Sequence, residues 1–278
     1  MSNKSISVGL VQQTCGNSRE ANLQSSIDGI REAAASGARL VLLQELHATP
    51  YFCQTEDPAC FDLAESIPGP STERFGALAA ELGIVIVTSL FEKRAEGLYH
   101  NTAVVLDADG GIAGRYRKMH IPDDPGYYEK YYFTPGDLGF EPIDTAVGRL
   151  GVLVCWDQWY PEAARLMALA GAQLLLYPTA IGWDMQDDAG ERLRQHDAWL
   201  TVQRGHAIAN SLPVLVCNRT GHEADPSAQT GGIRFWGGSA VIGPQGEILA
   251  EAAPDTAEVL VAEIDISRSG ELRRVWPW

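Results

Sequence analysis

The chain has 278 residues, 45% hydrophobic and 21% charged, proportions that exclude a fibrous repeat or a disordered chain. Lys plus Arg number 21 against 36 Asp plus Glu, and the net charge of −15 argues against nucleic acid or an anionic membrane as partner, since both need a basic surface. Five cysteines at irregular spacing with no C-x-x-C pair, and six histidines with no H-x-x-x-H, argue against a disulfide framework and a structural zinc. No run approaches the roughly 18 apolar residues of a membrane span, and the opening MSNKSISVGLVQQ is too short an apolar run for a secretory signal, so a cytoplasmic protein is expected.

In chain order, REAAASGARLVLLQE (31–45) and ALAAELGIVIVTS (77–89) each read as an alanine-rich helix followed by a short buried strand. NTAVVLDADGGIAGRYRK (101–118) reads as a hairpin about Asp109-Gly110-Gly111. MHIPDDPGYYEKYYFTPGD follows, with three prolines and five aromatics, and is expected to be a long ordered loop of functional kind. VLVCWDQWYPEAAR (152–165) runs from an apolar strand into a helix opening at Pro161 and reaching to about residue 170. RLMALAGAQLLLYPT (165–179) and GHAIANSLPVLVCNR (205–219) repeat the helix-then-strand unit, and GGSAVIGPQGEILAEA (237–252) forms a second hairpin about Pro244-Gln245-Gly246. Gly37, Gly83 and Gly171 stand where left-handed helix caps are expected. Helix and strand in alternation, with hairpins between, imply an α/β layered protein with mixed sheets, and no linker composition divides residues 1–278, so one domain is expected.

Reactive groups in α/β sheets sit just beyond the carboxyl ends of strands. The residues in that position include Glu45 after LVLLQ, Lys118 after GRYR and Cys155 after LGVLV: an acid, a base and a nucleophile. Each has a plainer reading, as a strand-end carboxylate, a solvated strand charge and a small buried hydrophobe. The turn after Cys155 tilts the balance, because a tight strand-to-helix connection holds the sulfur at the sheet rim near partial positive charge that favours thiolate. In the functional reading Glu45 is a buried general base that takes the thiol proton and later activates water.

With the loop, these three residues resemble the nitrilase or carbon-nitrogen hydrolase superfamily, whose Glu-Lys-Cys triad is matched in order and spacing by Glu45 in LLQE, Lys118 in YRKMH and Cys155 in VCWDQWYPE. HIPDDPGYYEKYYFTPGD and CWDQWYPEAAR are similar to the N-carbamoylputrescine amidohydrolase branch, and the likeness runs from SVGLVQQ to AEIDISR. The resemblance implies a four-layer α-β-β-α sandwich, a homo-oligomer, a small-molecule ureide or amide substrate, and hydrolysis with no metal or organic cofactor. It also implies a second active-site glutamate, Glu129, for which the plainer reading is an ion-pair partner of a nearby lysine. The backbone N–H of Trp156 is expected at the substrate oxygen.

For the distal ammonium of a diamine-derived ureide, acidic candidates are Asp123, Asp124, Asp184, Asp187, Asp188 and Glu191, and Asp124 is the one chosen. Tyr51 and Trp183 are expected as apolar walls. Where many plant-type members of the branch read Ser-Glu-Pro after PTAIG, this chain has Trp183-Asp184-Met185, a departure at the amine-binding end and not at the triad. Other enzyme readings keep the triad and change the substrate to N-carbamoyl-β-alanine, an N-carbamoyl amino acid or an ω-amide, whose pocket should present arginine where the substrate carries a carboxylate. A non-catalytic, thiol-sensing or binding protein is the reading from another class.

Overall fold

A computed structural model describes residues 5–184 and 186–276, without the side chain of Asp184, so the Asp184 and Met185 side chains considered above lie outside the described residues. In chain order the elements are β1 (Ser5–Gln12), α1 (Arg19–Ala35), β2 (Leu40–Leu43), α2 (Pro70–Leu82), β3 (Val85–Ala95), β4 (Leu98–Leu106), β5 (Ile112–Arg117), α3 (Glu129–Tyr132), β6 (Ile143–Thr145), β7 (Gly148–Val152), α4 (Pro161–Leu169), β8 (Leu174–Pro178), β9 (Gly182–Asp184), α5 (Ala189–Asn210), β10 (Val214–Cys217), β11 (Thr220–Glu223), β12 (Ile233–Trp236), β13 (Ala240–Ile242), β14 (Ile248–Glu251), β15 (Glu258–Asp265) and α6 (Ser267–Val275).

Two six-stranded mixed sheets form, in the orders β15-β1-β2-β3-β4-β5 and β14-β13-β10-β8-β7-β6. The strands that follow helices pair in parallel (β1 with β2, β2 with β3, β7 with β8, β8 with β10), and the hairpins close antiparallel. Alternation along β2 shows why its apolar run has no polar break. Leu40 and Leu42 join the cluster between the two sheets, while Val41 and Leu43 pack outward with Ile27, Ile30 and Phe75 of the covering helices α1 and α2. On the far side α4 and α5 cover the second sheet, completing an α-β-β-α sandwich.

The caps explain where the helices stop. Gly83 ends α2 at φ 64°, the left-handed conformation open to glycine at no steric cost. Ser211 takes the same conformation after α5 at φ 48°, so the fourth helix-strand unit, which lacks a glycine, reaches the same bend with a serine. The aromatic loop is ordered as expected but contains one helical turn, α3, which opens on Glu129.

Candidate active site

The carboxyl ends of β2 and β8 meet at one edge, where the backbone N–H of Glu45 donates to the carbonyl of Thr179 at 3.3 Å across the two sheets. Beyond β2 the chain bends sharply, with Leu46 at φ 49°. The buried guanidinium of Arg219, just past β10, holds this bend: Nη2 donates to the carbonyls of Glu45 and Leu46 at 3.2 and 2.8 Å, and Nη1 to that of Thr49 at 3.0 Å. Nη1 also pairs with Glu223 at 2.6 Å.

Glu45, Lys118 and Glu129 come together in a site closed to solvent. Lys118 Nζ lies 2.8 Å from Glu45 Oε1 and 2.7 Å from Glu129 Oε2. Asn101 Nδ2 donates to the same Glu45 oxygen at 2.7 Å, and the Tyr51 hydroxyl to Glu129 Oε1 at 2.6 Å. Glu45 Oε2 is buried with no hydrogen-bond partner. A buried lone pair left unmet is costly, and an active centre is where that cost serves a purpose. Burial alone would lower the Lys118 ammonium, but Glu129 and Glu45 outweigh it and hold the ammonium well above its ordinary range. Burial raises Glu129 to about 7, against the pull of Lys118 and with the like charge of Glu45 adding to it.

Cys155 stands at φ 42°, a left-handed conformation rare for a side chain of this kind, in a single 3-10 turn that separates β7 from α4. Its Sγ is 4.0 Å from the carbonyl of Ala180. The expectation of a favoured thiolate is corrected here. The turn Cys155–Trp159 stands in the chain between the cysteine and α4, which opens at Pro161, and burial, with the Glu45 charge adding and Lys118 opposing, pushes the thiol well above its ordinary value. Burial thus favours the protonated thiol, and Glu45 Oε2 remains a buried acceptor without a partner.

A cavity of about 440 Å³ opens over this cluster, with Cys155, Glu129 and Ala180 on its surface and Tyr127, Trp156, Trp159 and Trp236 as aromatic walls. Asp124 and Asp187 both line it, whereas Asp123, Asp188 and Glu191 do not. Asp188 caps α5 by accepting from the N–H of Glu191, and Glu191 pairs with Arg194 at 2.6 Å. Among the described lining residues there is no lysine or arginine.

Tyr51 and Trp183, expected as walls, are not among the residues that line this cavity. Tyr51 is buried behind the cavity, because its hydroxyl cannot be buried unpaired and is drawn to Glu129. Trp183 follows Gly182, a lining residue, on β9, and alternation turns it to the other face, where its indole N–H donates to the Arg192 carbonyl at 2.9 Å and its ring packs on Trp236. Tyr127, Asn101, Asp157 and Arg219 were not singled out from the sequence. Arg219 follows the apolar run VLVC as Glu45 follows LVLL, so the strand-end rule applied to 205–219 would have found it. Asn101 stands between His100 and Thr102 in the polar half of its strand, so the sequence held no signal that set it apart.

This fold and this cysteine, lysine and carboxylate cluster belong to a cysteine-dependent hydrolase, and the chain is a member of the carbon-nitrogen hydrolase family, whose sequence model matches residues 7–274. It is similar to the N-carbamoylputrescine amidase of Solanum lycopersicum, 43% identical over 276 residues that cover 99% of this chain and 91% of the relative. It is also similar to the citrullinase of Francisella tularensis, 40% identical over 98% of this chain and 93% of that one. The crystal structure of a carbon-nitrogen hydrolase from Helicobacter pylori superposes with a TM-score of 0.95 at 54% identity, covering 98% of this chain and 94% of that chain. Among the described residues no helix is long and apolar enough to cross a membrane, and no cluster of His, Cys, Asp and Glu could hold a metal ion.

Proposed function

We propose that the protein hydrolyses N-carbamoylputrescine to putrescine, ammonia and carbon dioxide, with Cys155 as nucleophile, Glu45 as general base and acid, and Lys118 with the Trp156 N–H as oxyanion donors. The observation that carries the chemistry is the buried, unpartnered Glu45 Oε2, whose carboxylate charge acts on the buried Cys155 thiol. Glu45 takes the Cys155 proton as sulfur attacks the ureido carbonyl. The carbonyl oxygen gains negative charge that the Lys118 ammonium and the Trp156 N–H stabilise, each such donor being worth about 3 to 4 kcal/mol in comparable sites. Collapse of the adduct breaks the C–N bond, and Glu45 returns its proton to the departing ammonia. A carbamoyl thioester on Cys155 remains. Glu45 then removes a proton from water, water displaces the sulfur, and the free carbamate loses carbon dioxide to leave the amine. Glu129, bonded to Lys118, keeps the ammonium charged and in place.

The substrate reading is supported by the carboxylates of Asp124 and Asp187 on a cavity without lining arginine or lysine among the described residues, an arrangement that suits a distal ammonium better than a distal carboxylate. The high identity to the tomato enzyme points the same way. An ammonia-release assay with N-carbamoylputrescine, citrulline, N-carbamoyl-β-alanine and an ω-amide tests it. The diamine-derived ureide should show the highest kcat/KM, and preference for any carboxylate-bearing compound overturns the substrate reading while leaving the covalent chemistry standing.

The chain is further read as one domain that associates into homo-oligomers. Leu166 and Leu169 on α4, with Leu193 and Ile208 on α5, support association because they leave apolar surface exposed in a single copy. Light scattering on the purified protein checks it, with a monomer at micromolar concentration as the contrary result.

A further inference from the structure

We infer that Asp157 is a positioning residue that ties the turn carrying Cys155 to the strand end carrying Lys118, an inference that rests on the reading of Cys155 as nucleophile. Asp157 is fully buried, and an acceptor-only carboxylate is tolerated there only when donors meet its lone pairs. All its donors come from two short stretches. Oδ2 accepts from the backbone N–H of Val154, the residue before Cys155, and from the Tyr116 hydroxyl, both at 2.9 Å. Oδ1 accepts from the backbone N–H of His120 at 3.0 Å and from its ring Nδ1–H at 2.7 Å.

Tyr116 and His120 stand on either side of Lys118 in the chain, and the His120 ring stacks on Tyr160 at the other end of the cysteine turn, with centroids 3.6 Å apart and planes 9° from parallel. Carboxylate and stacked ring thus close a clasp between the segment Tyr116–His120 and the segment Val154–Tyr160. The clasp sets the nucleophile against the ammonium that receives the developing charge. Asp157 is absent from the cavity lining, so it acts through its neighbours and not on substrate. Cys155 needs such support, because a non-glycine residue in a sparsely populated backbone region is strained and persists only where the surroundings enforce it.

The side chain must be a carboxylate and not merely polar. Four donors converge on it, and each oxygen accepts from one backbone N–H that cannot reverse its role, so an amide of the same size would turn its own N–H groups toward one of these and lose that bond. Asp157→Asn and Tyr116→Phe test the assignment, each assayed well below its melting temperature for kcat and KM on the ureide and for the rate of Cys155 alkylation by iodoacetamide across pH. Asp157→Asn should lower kcat by about 10²-fold, the scale of a 1 Å misplacement, with KM changed far less. Its alkylation profile should also shift from that of the wild-type protein. Tyr116→Phe, which removes one donor and leaves three, should lower kcat by about tenfold. If Asp157→Asn does not fold, Tyr116→Phe alone decides. Folded variants with wild-type kcat and alkylation, lowered only in melting temperature, would make Asp157 a merely structural residue and overturn the inference. Should the wild-type protein release no ammonia from any ureide, the proposed function fails, and the alkylation comparison still decides this one.

Discussion

Arg117 and Lys118 are consecutive buried cations, yet they close two ion clusters of opposite character. Arg117 donates from Nε and Nη2 to the two oxygens of Glu92 at 2.8 Å and from Nη1 to Asp137 at 2.9 Å, and the Thr102 hydroxyl adds a bond to Glu92 at 2.7 Å. Burial would raise the Glu92 carboxyl, but the hydrogen bonds from Arg117 and Thr102 outweigh it and hold the group below its ordinary value. Across the pleat, Lys118 is shared by two carboxylates, Glu129 is raised, and Glu45 Oε2 is left unmet. The lesson is that completed pairing locks a group in its charged form and holds the fold, whereas a network one bond short keeps a group ready to exchange a proton.

The largest effect expected from breaking this contrast is on the reactive side. Cys155→Ser and Glu45→Gln should each lower turnover by about 10⁴-fold or more while thermal unfolding changes little, and Cys155→Ser activity above about a tenth of wild type would defeat the covalent step. The complementary change, Arg117→Met, strips the buried Glu92 of its two-pronged partner, leaving the Thr102 hydroxyl and a longer 3.4 Å contact with Arg115, and should destabilise the protein by about 3 kcal/mol in urea unfolding. Turnover per folded molecule should remain near wild type.

A third buried group sharpens the comparison through pH. His47, on the bend that carries Glu45, bonds Ser26 Oγ at 2.8 Å and Thr88 Oγ1 at 2.7 Å, and burial with the nearby Arg219 charge lowers it to about 3. The unfolded chain takes up this proton near pH 6.5 while the folded one does not. His47 therefore contributes stability that is full above about 6.5 and is lost as pH falls toward 3, at about 1.4 kcal/mol per pH unit. His47→Gln should flatten that slope in denaturant titrations between pH 6.5 and 4.

The smallest effect concerns Glu129, whose carboxyl titrates near 7 beside Glu45. Ionised Glu129 completes the pair that holds the Lys118 ammonium in place, so kcat/KM should rise through about pH 7. Glu129→Gln removes the titrating carboxyl and should flatten that limb in a pH profile of kcat/KM. An unmoved limb would assign the ionisation elsewhere.

Periodicity placed the helix-strand units and both hairpins, because a residue buried on two faces or one leaves its pattern in the local order of apolar side chains. The rule that reactive groups follow strands picked out Glu45, Lys118 and Cys155, and the family likeness added Glu129. Local order could not place Tyr51 and Trp183, since which face each ring takes depends on what stands opposite: a carboxylate for the first, a second tryptophan and a carbonyl for the second. Nor could it find the Asp157 clasp, or show which carbonyls Arg219 braces, because those partners lie far off in the chain. Charge state was also decided by the fold, because burial and the number of partners set it: the thiol reads as activated from its turn alone and is protonated once its surroundings are complete.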